Sequence, residues 1–185
     1  PYTTTLHDMQ RFSRSRQHDT LDELWLVQHP PVFTLGQAGQ AKHILQPICP
    51  VIQSDRGGQV TYHGPGQLVA YVLLDLRRAG LSLKALIRRL QQSLLDGLQT
   101  YQIAAHLKPG APGVYVEEAK IAALGLRVTR GCTYHGVSLN IEMDLAPFSA
   151  IHPCGYTDLK VTQMSNYVPT CSFGAVAVKV RQHLV

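Results

Sequence analysis

Charge is sparse in this 185-residue sequence, and three kinds of segment are missing from it. Only 16% of the residues are Asp, Glu, Lys or Arg, and the formal net charge is +5. No run of Lys and Arg is dense enough to argue nucleic-acid binding, so the small basic excess reads as ordinary solubility charge. No apolar stretch approaches the ~20 residues of a membrane-spanning helix, and no secretory segment is visible. Cysteine is scarce. Cys49, Cys132, Cys154 and Cys171 are widely spaced in a chain too large to need disulfide staples, so free thiols in a reducing cytoplasm are expected. There is no internal repeat and no interdomain linker, so residues 1–185 are expected to form a single domain. The chain begins at Pro1 without a methionine, and a truncated extreme N-terminus is expected. What is abundant is apolar: a hydrophobic fraction of 45% is ample for a buried core and argues against disorder.

Residues 24–28 read as a short buried strand stopped by Pro30-Pro31, with 33–35 continuing extended and a turn at 36–39. Val51-Ile52 is strand-like, and 67–76 read as a strong strand. Between them lies Arg56-Gly-Gly-Gln-Val-Thr-Tyr-His-Gly-Pro-Gly66, glycine-rich with a β-prone centre. Ser82 can cap a helix running to about Tyr101, because Leu83, Leu86, Ile87, Leu90, Leu94, Leu95 and Leu98 recur at helical spacing. Further strands are expected at 114–116, 121–128 and 137–141, with Glu117-Glu118 turning the first two into a hairpin. Ser172 caps a closing helix over 173–184. Runs of strands broken by helices, without strict βαβ alternation, predict an α+β fold with a mixed or antiparallel sheet and flanking helices.

Several residues offer chemistry. Cys154 lies in His152-Pro-Cys-Gly-Tyr156, where proline stiffens the chain and glycine permits close approach. Such a loop suits a presented thiol better than core packing, although a free cysteine is more often a small buried hydrophobe. A thiol of pKa ~8.5 is only about 3% thiolate at pH 7, so a nearby cation is useful. Lys120 opens the apolar strand Lys-Ile-Ala-Ala-Leu-Gly-Leu126 and either lines a pocket or, as base rates favour, points to water. His63 and His135 each follow tyrosine and precede glycine, so two similar segments are placed to frame one cleft; the alternative is a pair of structural histidines. Cys132-x-x-His135 with His152-x-Cys154 has zinc-like chemistry, but the second pair is awkwardly spaced, and no metal is expected. Gly57-Gly58 could cradle a phosphate, yet the segment lacks a P-loop ending and is not a Rossmann fingerprint.

Taken together, these segments resemble the lipoyl(octanoyl) transferases, octanoyl-[acyl-carrier-protein]:protein octanoyltransferases. The resemblance rests on Leu24-Trp-Leu-Val-Gln-His-Pro-Pro-Val-Phe-Thr34 and on Arg56-Gly-Gly-Gln-Val-Thr-Tyr-His-Gly-Pro-Gly-Gln67, the more specific of the two. Ala111-Pro-Gly-Val-Tyr-Val116, Lys120-Ile-Ala-Ala-Leu-Gly125, Tyr134-His-Gly136, Asn140 and Pro153-Cys-Gly-Tyr156 extend it over residues 24–167. It implies the fold shared with biotin and lipoate protein ligases. It implies Cys154 as the acyl-thioester nucleophile and Lys120 as the residue that lowers its pKa and assists proton transfer. The substrate-binding segments it implies are Arg56, Gly57, Gly58, Gln59, Val60, Thr61, Tyr62 and His63; Ala123, Leu124 and Gly125; and Gly136, Val137 and Ser138. His135 is a further assisting candidate. Ala119 stands where some members carry a second lysine.

The implied donor is octanoyl-acyl carrier protein, and the implied acceptors are lipoyl domains of 2-oxoacid dehydrogenases and the glycine cleavage H protein. No cofactor is implied. Because both partners are expected to be acidic, Arg77, Arg78, Lys84, Arg88 and Arg89 form a candidate docking patch. Two other readings compete: an ATP-dependent lipoate or biotin ligase of the same fold, which needs no cysteine, and a non-catalytic zinc or acyl-binding module.

Overall fold

The computed structural model of the chain describes residues 1–153 and 159–184. Its larger sheet has six strands. β1 (Glu23–Val27) pairs with β5 (Gln67–Leu73), and β5 with β9 (Cys132–Asn140). β9 pairs with β8 (Ala119–Thr129), β8 with β7 (Ala111–Val116), and β7 with β6 (Ala105–Lys108). Every one of these pairings is antiparallel. The smaller sheet is mixed: β2 (Val32–Leu35) runs parallel to β3 (Val51–Gln53) and antiparallel to β4 (Val60–His63). The architecture is α+β with mixed and antiparallel sheets.

The near-continuous apolar run of β5 is explained by cover on both faces. Leu68 and Ala70 join a core with α2 (Leu83–Gln99) and α3 (Phe173–Leu184). Val69, Tyr71 and Leu73 face the other way, toward α1 (Tyr2–Ser15). The Ser82 hydroxyl accepts the Ala85 N–H at 3.1 Å and caps α2, which buries Leu86, Leu90, Leu94 and Leu98. Lys84, Arg88 and Arg89 lie on its exposed face. Ser172 caps α3 in the same way.

Four features differ from the sequence reading. α1 was not anticipated, although Tyr2, Leu6, Met9 and Ser13 recur at helical spacing and are buried. β6 is a short, half-exposed edge strand whose pattern is too weak to stand out. β5 stops at Leu73 rather than Leu76, because the Asp75 carboxylate accepts the Arg77 and Arg78 N–H groups and turns the chain. Strands 121–128 and 137–141 are in fact longer and form one hairpin. Its two turn residues, Arg130 (φ 49°) and Gly131 (φ 85°), are both left-handed, as a tight β-hairpin requires.

Candidate active site

The glycine-rich segment is locked to both sheets, to one by its backbone and to the other by the Arg56 side chain. Gly57 N–H donates to Leu126 O across 3.0 Å, joining the segment to β8. A Cβ on Gly125 would lie 2.9 Å from Gly57 O, so this close approach needs glycine. The buried Arg56 guanidinium donates to Thr34 Oγ1, Thr34 O, Gly57 O and Gln59 O, tying the segment to β2.

A cleft opens between the two sheets. Its floor is Val69 and Tyr71 of β5, His135, Gly136, Val137 and Ser138 of β9, and Ala123, Leu124 and Gly125 of β8. Arg56, Gly58, Gln59, Val60, Thr61 and His63 form its opposite wall, and Tyr2 of α1 closes one side. The segments carrying His63 and His135 thus frame one cleft. Gly57 and Tyr62 are the two expected binding residues that do not line it. Gly57 is spent on the backbone contact to β8. Tyr62 alternates with Thr61 and His63 along β4, so it packs away from the cleft against Phe33 and Phe148.

Thr61, Ala123 and Ser138 also border an adjoining recess. Lys120 lies in it with Gln67, Asn140 and Phe148. A water-facing strand-end lysine, favoured by base rates, is not what the fold builds: Lys120 is 6% exposed. The cause is residues 160–162, which run alongside β8. Lys120 N–H donates to Lys160 O at 2.8 Å, and Thr162 N–H donates to Lys120 O at 3.0 Å. The ammonium sits 5.3 Å from the Tyr115 ring centroid. Gly113 makes room for the lysine stem, since a Cβ there would lie 2.9 Å from Lys120 Cε. Pro153 and Leu159 border the same recess, on either side of residues 154–158. Cys154 itself lies outside the described residues.

Two polar networks fix the histidines. Asn140 Nδ2 donates to Thr162 O, and Gln67 Nε2 donates to Tyr62 O and Asn140 Oδ1. This leaves Gln67 Oε1 as acceptor for His63 Nδ1–H, at 2.6 Å. Burial pushes His63 down to about 3, against the hydrogen bond to Gln67, which raises it. The ring is therefore neutral, with Nε2 as its unprotonated nitrogen. In the second network Asp55 accepts hydrogen bonds from His135 Nε2, Tyr134 and Gln10. Burial would raise the Asp55 pKa, but the bonds from His135 and Tyr134 outweigh it and hold the carboxyl well below the usual range. Burial keeps His135 neutral against the pull of Asp55. His135 has φ 60°, which breaks strand alternation and turns both its ring and the Tyr134 ring toward Asp55.

Asp55, Gln67, Tyr2, Val69 and Tyr71 were not singled out by sequence. Asp55 had one signal, its place directly before Arg56-Gly57-Gly58. The basic patch fares differently. α2 packs on the face of the large sheet opposite the cleft, which separates Lys84, Arg88 and Arg89 from it. Arg78 is committed to Asp22 at 2.7 Å and to His18 O and Thr20 O.

Comparisons with known proteins agree with this geometry. The family described as lipoyl protein ligase A/B catalytic domain matches residues 1–185. An octanoyltransferase of Pseudomonas paraeruginosa is 55% identical over 186 residues, taking in 100% of this chain and 86% of that protein. One from Pseudomonas fluorescens is 54% identical over 185 residues, with the same coverage. Among solved structures, lipoate-protein ligase A bound with ATP matches with a TM-score of 0.83 at 16% identity, over 99% of this chain and 79% of that one. Biotin protein ligase from Aquifex aeolicus matches with a TM-score of 0.52 at 20% identity, over 64% and 51%. The two structural likenesses show a shared fold.

Proposed function

The chain belongs to the lipoyl protein ligase A/B catalytic domain family, and from that premise we propose that it is an octanoyltransferase acting through a Cys154 thioester. The donor is octanoyl-acyl carrier protein and the acceptor a lysine of a lipoyl domain. The observation that carries this reading is the 55% identity to octanoyltransferases along the whole chain. The sheltered Lys120 recess, joined to a largely apolar cleft, supports it.

In the first step the Cys154 thiolate attacks the donor's carbonyl carbon and the carrier sulfur leaves as a thiol, taking its proton from Lys120, which is left neutral; one thioester replaces another and no ATP is consumed. Lys120 as an ammonium favours the thiolate. Pro153, one residue before Cys154, borders the Lys120 recess, and adjacent α-carbons are only about 3.8 Å apart. That supports Lys120 as the partner. In the second step the acceptor lysine's amine attacks the acyl-enzyme, its proton passes to Lys120, and Cys154 leaves as the product amide forms. Thioester to amide is downhill and gives direction. Burying about seven apolar carbons in the cleft contributes on the order of 5 kcal/mol to binding.

Intact-mass spectrometry after mixing with octanoyl-acyl carrier protein tests this reading. An octanoyl adduct on Cys154, absent in Cys154→Ser, is expected without ATP. An adduct elsewhere, or an ATP requirement with Cys154→Ser still active, would favour ligase chemistry on the same fold.

A further inference from the structure

The cleft floor is built in rungs across three strands. Val69, Ser138 and Ala123 are register partners on one rung; on the next rung of the same face, two residues along, Tyr71 is opposite Gly136 and Gly136 opposite Gly125. Two of the three positions on the second rung have no side chain, so Tyr71 is the one group projecting from it. Neither glycine can be filled in. A Cβ on Gly136 would lie 2.0 Å from Ala70 O, and one on Gly125 would lie 2.9 Å from Gly57 O. Tyr71 is buried and held in place: its hydroxyl is 2.6 Å from His29 Nε2, and its ring meets the His135 ring edge-on with centroids 6.1 Å apart.

Building on the octanoyl-transfer reading, we propose that Tyr71 is the stop that sets acyl chain length. The Lys120 recess meets the cleft at Thr61, Ala123 and Ser138. Along β9 the Tyr71 rung lies two residues from Ser138 and His135 lies three, so the wall spans about 7 to 10 Å from the junction. An extended eight-carbon acyl group spans about 9 Å from carbonyl to methyl. With its carbonyl at the junction, the methyl end reaches the wall made by Tyr71 and His135. That wall is polar behind its rings. The Tyr71 hydroxyl is bonded to His29, and His135 Nδ1 is buried with no hydrogen-bond partner among the described residues. A longer chain must displace the ring and press methylenes against these atoms, which disfavours it. The floor works in the same sense from below. Ala123 and Ser138 are small enough to leave the slot open, and a larger residue there would shorten it.

The test compares hexanoyl-, octanoyl- and decanoyl-acyl carrier proteins as donors, reading acyl-enzyme formation by intact mass. In Tyr71→Val the lost ring leaves room for about two more methylenes, and the decanoyl-to-octanoyl rate ratio should rise about tenfold. Ala123→Val should shift preference from octanoyl toward hexanoyl, and it serves if Tyr71→Val does not fold. Tyr71→Phe, which keeps the ring, should keep the wild-type ratio. An active wild type whose ratios stay within twofold in both valine variants overturns the stop alone. A wild type acylated by none of the three donors overturns the transferase reading, and the stop with it.

Discussion

His63 Nδ1 and Gln67 Oε1 lie 2.6 Å apart, and the direction of this hydrogen bond is set from the far end of a chain. The Thr162 carbonyl can only accept, so Asn140 donates to it, Gln67 donates to Asn140, and His63 must donate to Gln67. The same Thr162 donates its N–H to Lys120 O. One network thus ties the tautomer of a cleft histidine to the segment that shelters the lysine.

Gln67→Leu should release that tautomer. Nitrogen-15 spectra of the wild type are expected to show His63 protonated on Nδ1, and the variant to show a mixture or the Nε2 form. Asn140 loses its donor as well, so stability should fall by about 1–3 kcal/mol. An unchanged Nδ1 signature in the variant would rule the relay out.

Asp55→Ala should be costly for a different reason. It leaves the buried donors of His135 and Tyr134 facing no acceptor, with Gln10 of α1 also released. A loss of about 2–4 kcal/mol is expected, seen as a lower urea midpoint with little change in slope. Faster hydrogen exchange in α1 should accompany it.

Gly113→Ala tests the packing of Lys120. Gly113 has φ 141°, and its added Cβ would lie 2.9 Å from both Lys120 Cε and Ala122 O. Transfer activity should drop at least tenfold while the fold, read by circular dichroism, persists. Near-wild-type activity would show that Lys120 tolerates displacement.

Stability should decline in mild acid. Burial holds His63 at about 3 and His29 at about 4, whereas an unfolded histidine titrates near 6.5. Between those values the unfolded chain binds more protons, so stability is full above pH ~6.5 and falls toward pH ~4, by up to about 1.4 kcal/mol per unit for each histidine. Asp55, held below its ordinary value, adds a further loss only below pH ~4. Urea midpoints at pH 7.5, 6 and 5 measure the slope, and His63→Gln should flatten it.

Much of this molecule is legible in the chain itself, and the physical reason is local. The Leu86, Leu90, Leu94, Leu98 stripe with its Ser82 cap dictates α2, and the alternation along 60–63 dictates which residues of β4 can face a cleft. Chain resemblance likewise pointed to the Arg56 segment and to Lys120. Tertiary structure decided what depends on residues far apart in sequence. Lys120 is sheltered where 160–162 lie beside it, and burial holds His135 neutral against Asp55, 80 positions away. Tyr71 reads from sequence as one more residue of an apolar strand. It becomes the end of a slot only where two glycines from other strands leave its ring alone on their rung. Strand register is set by pairing across the sheet, and no single segment carries that information.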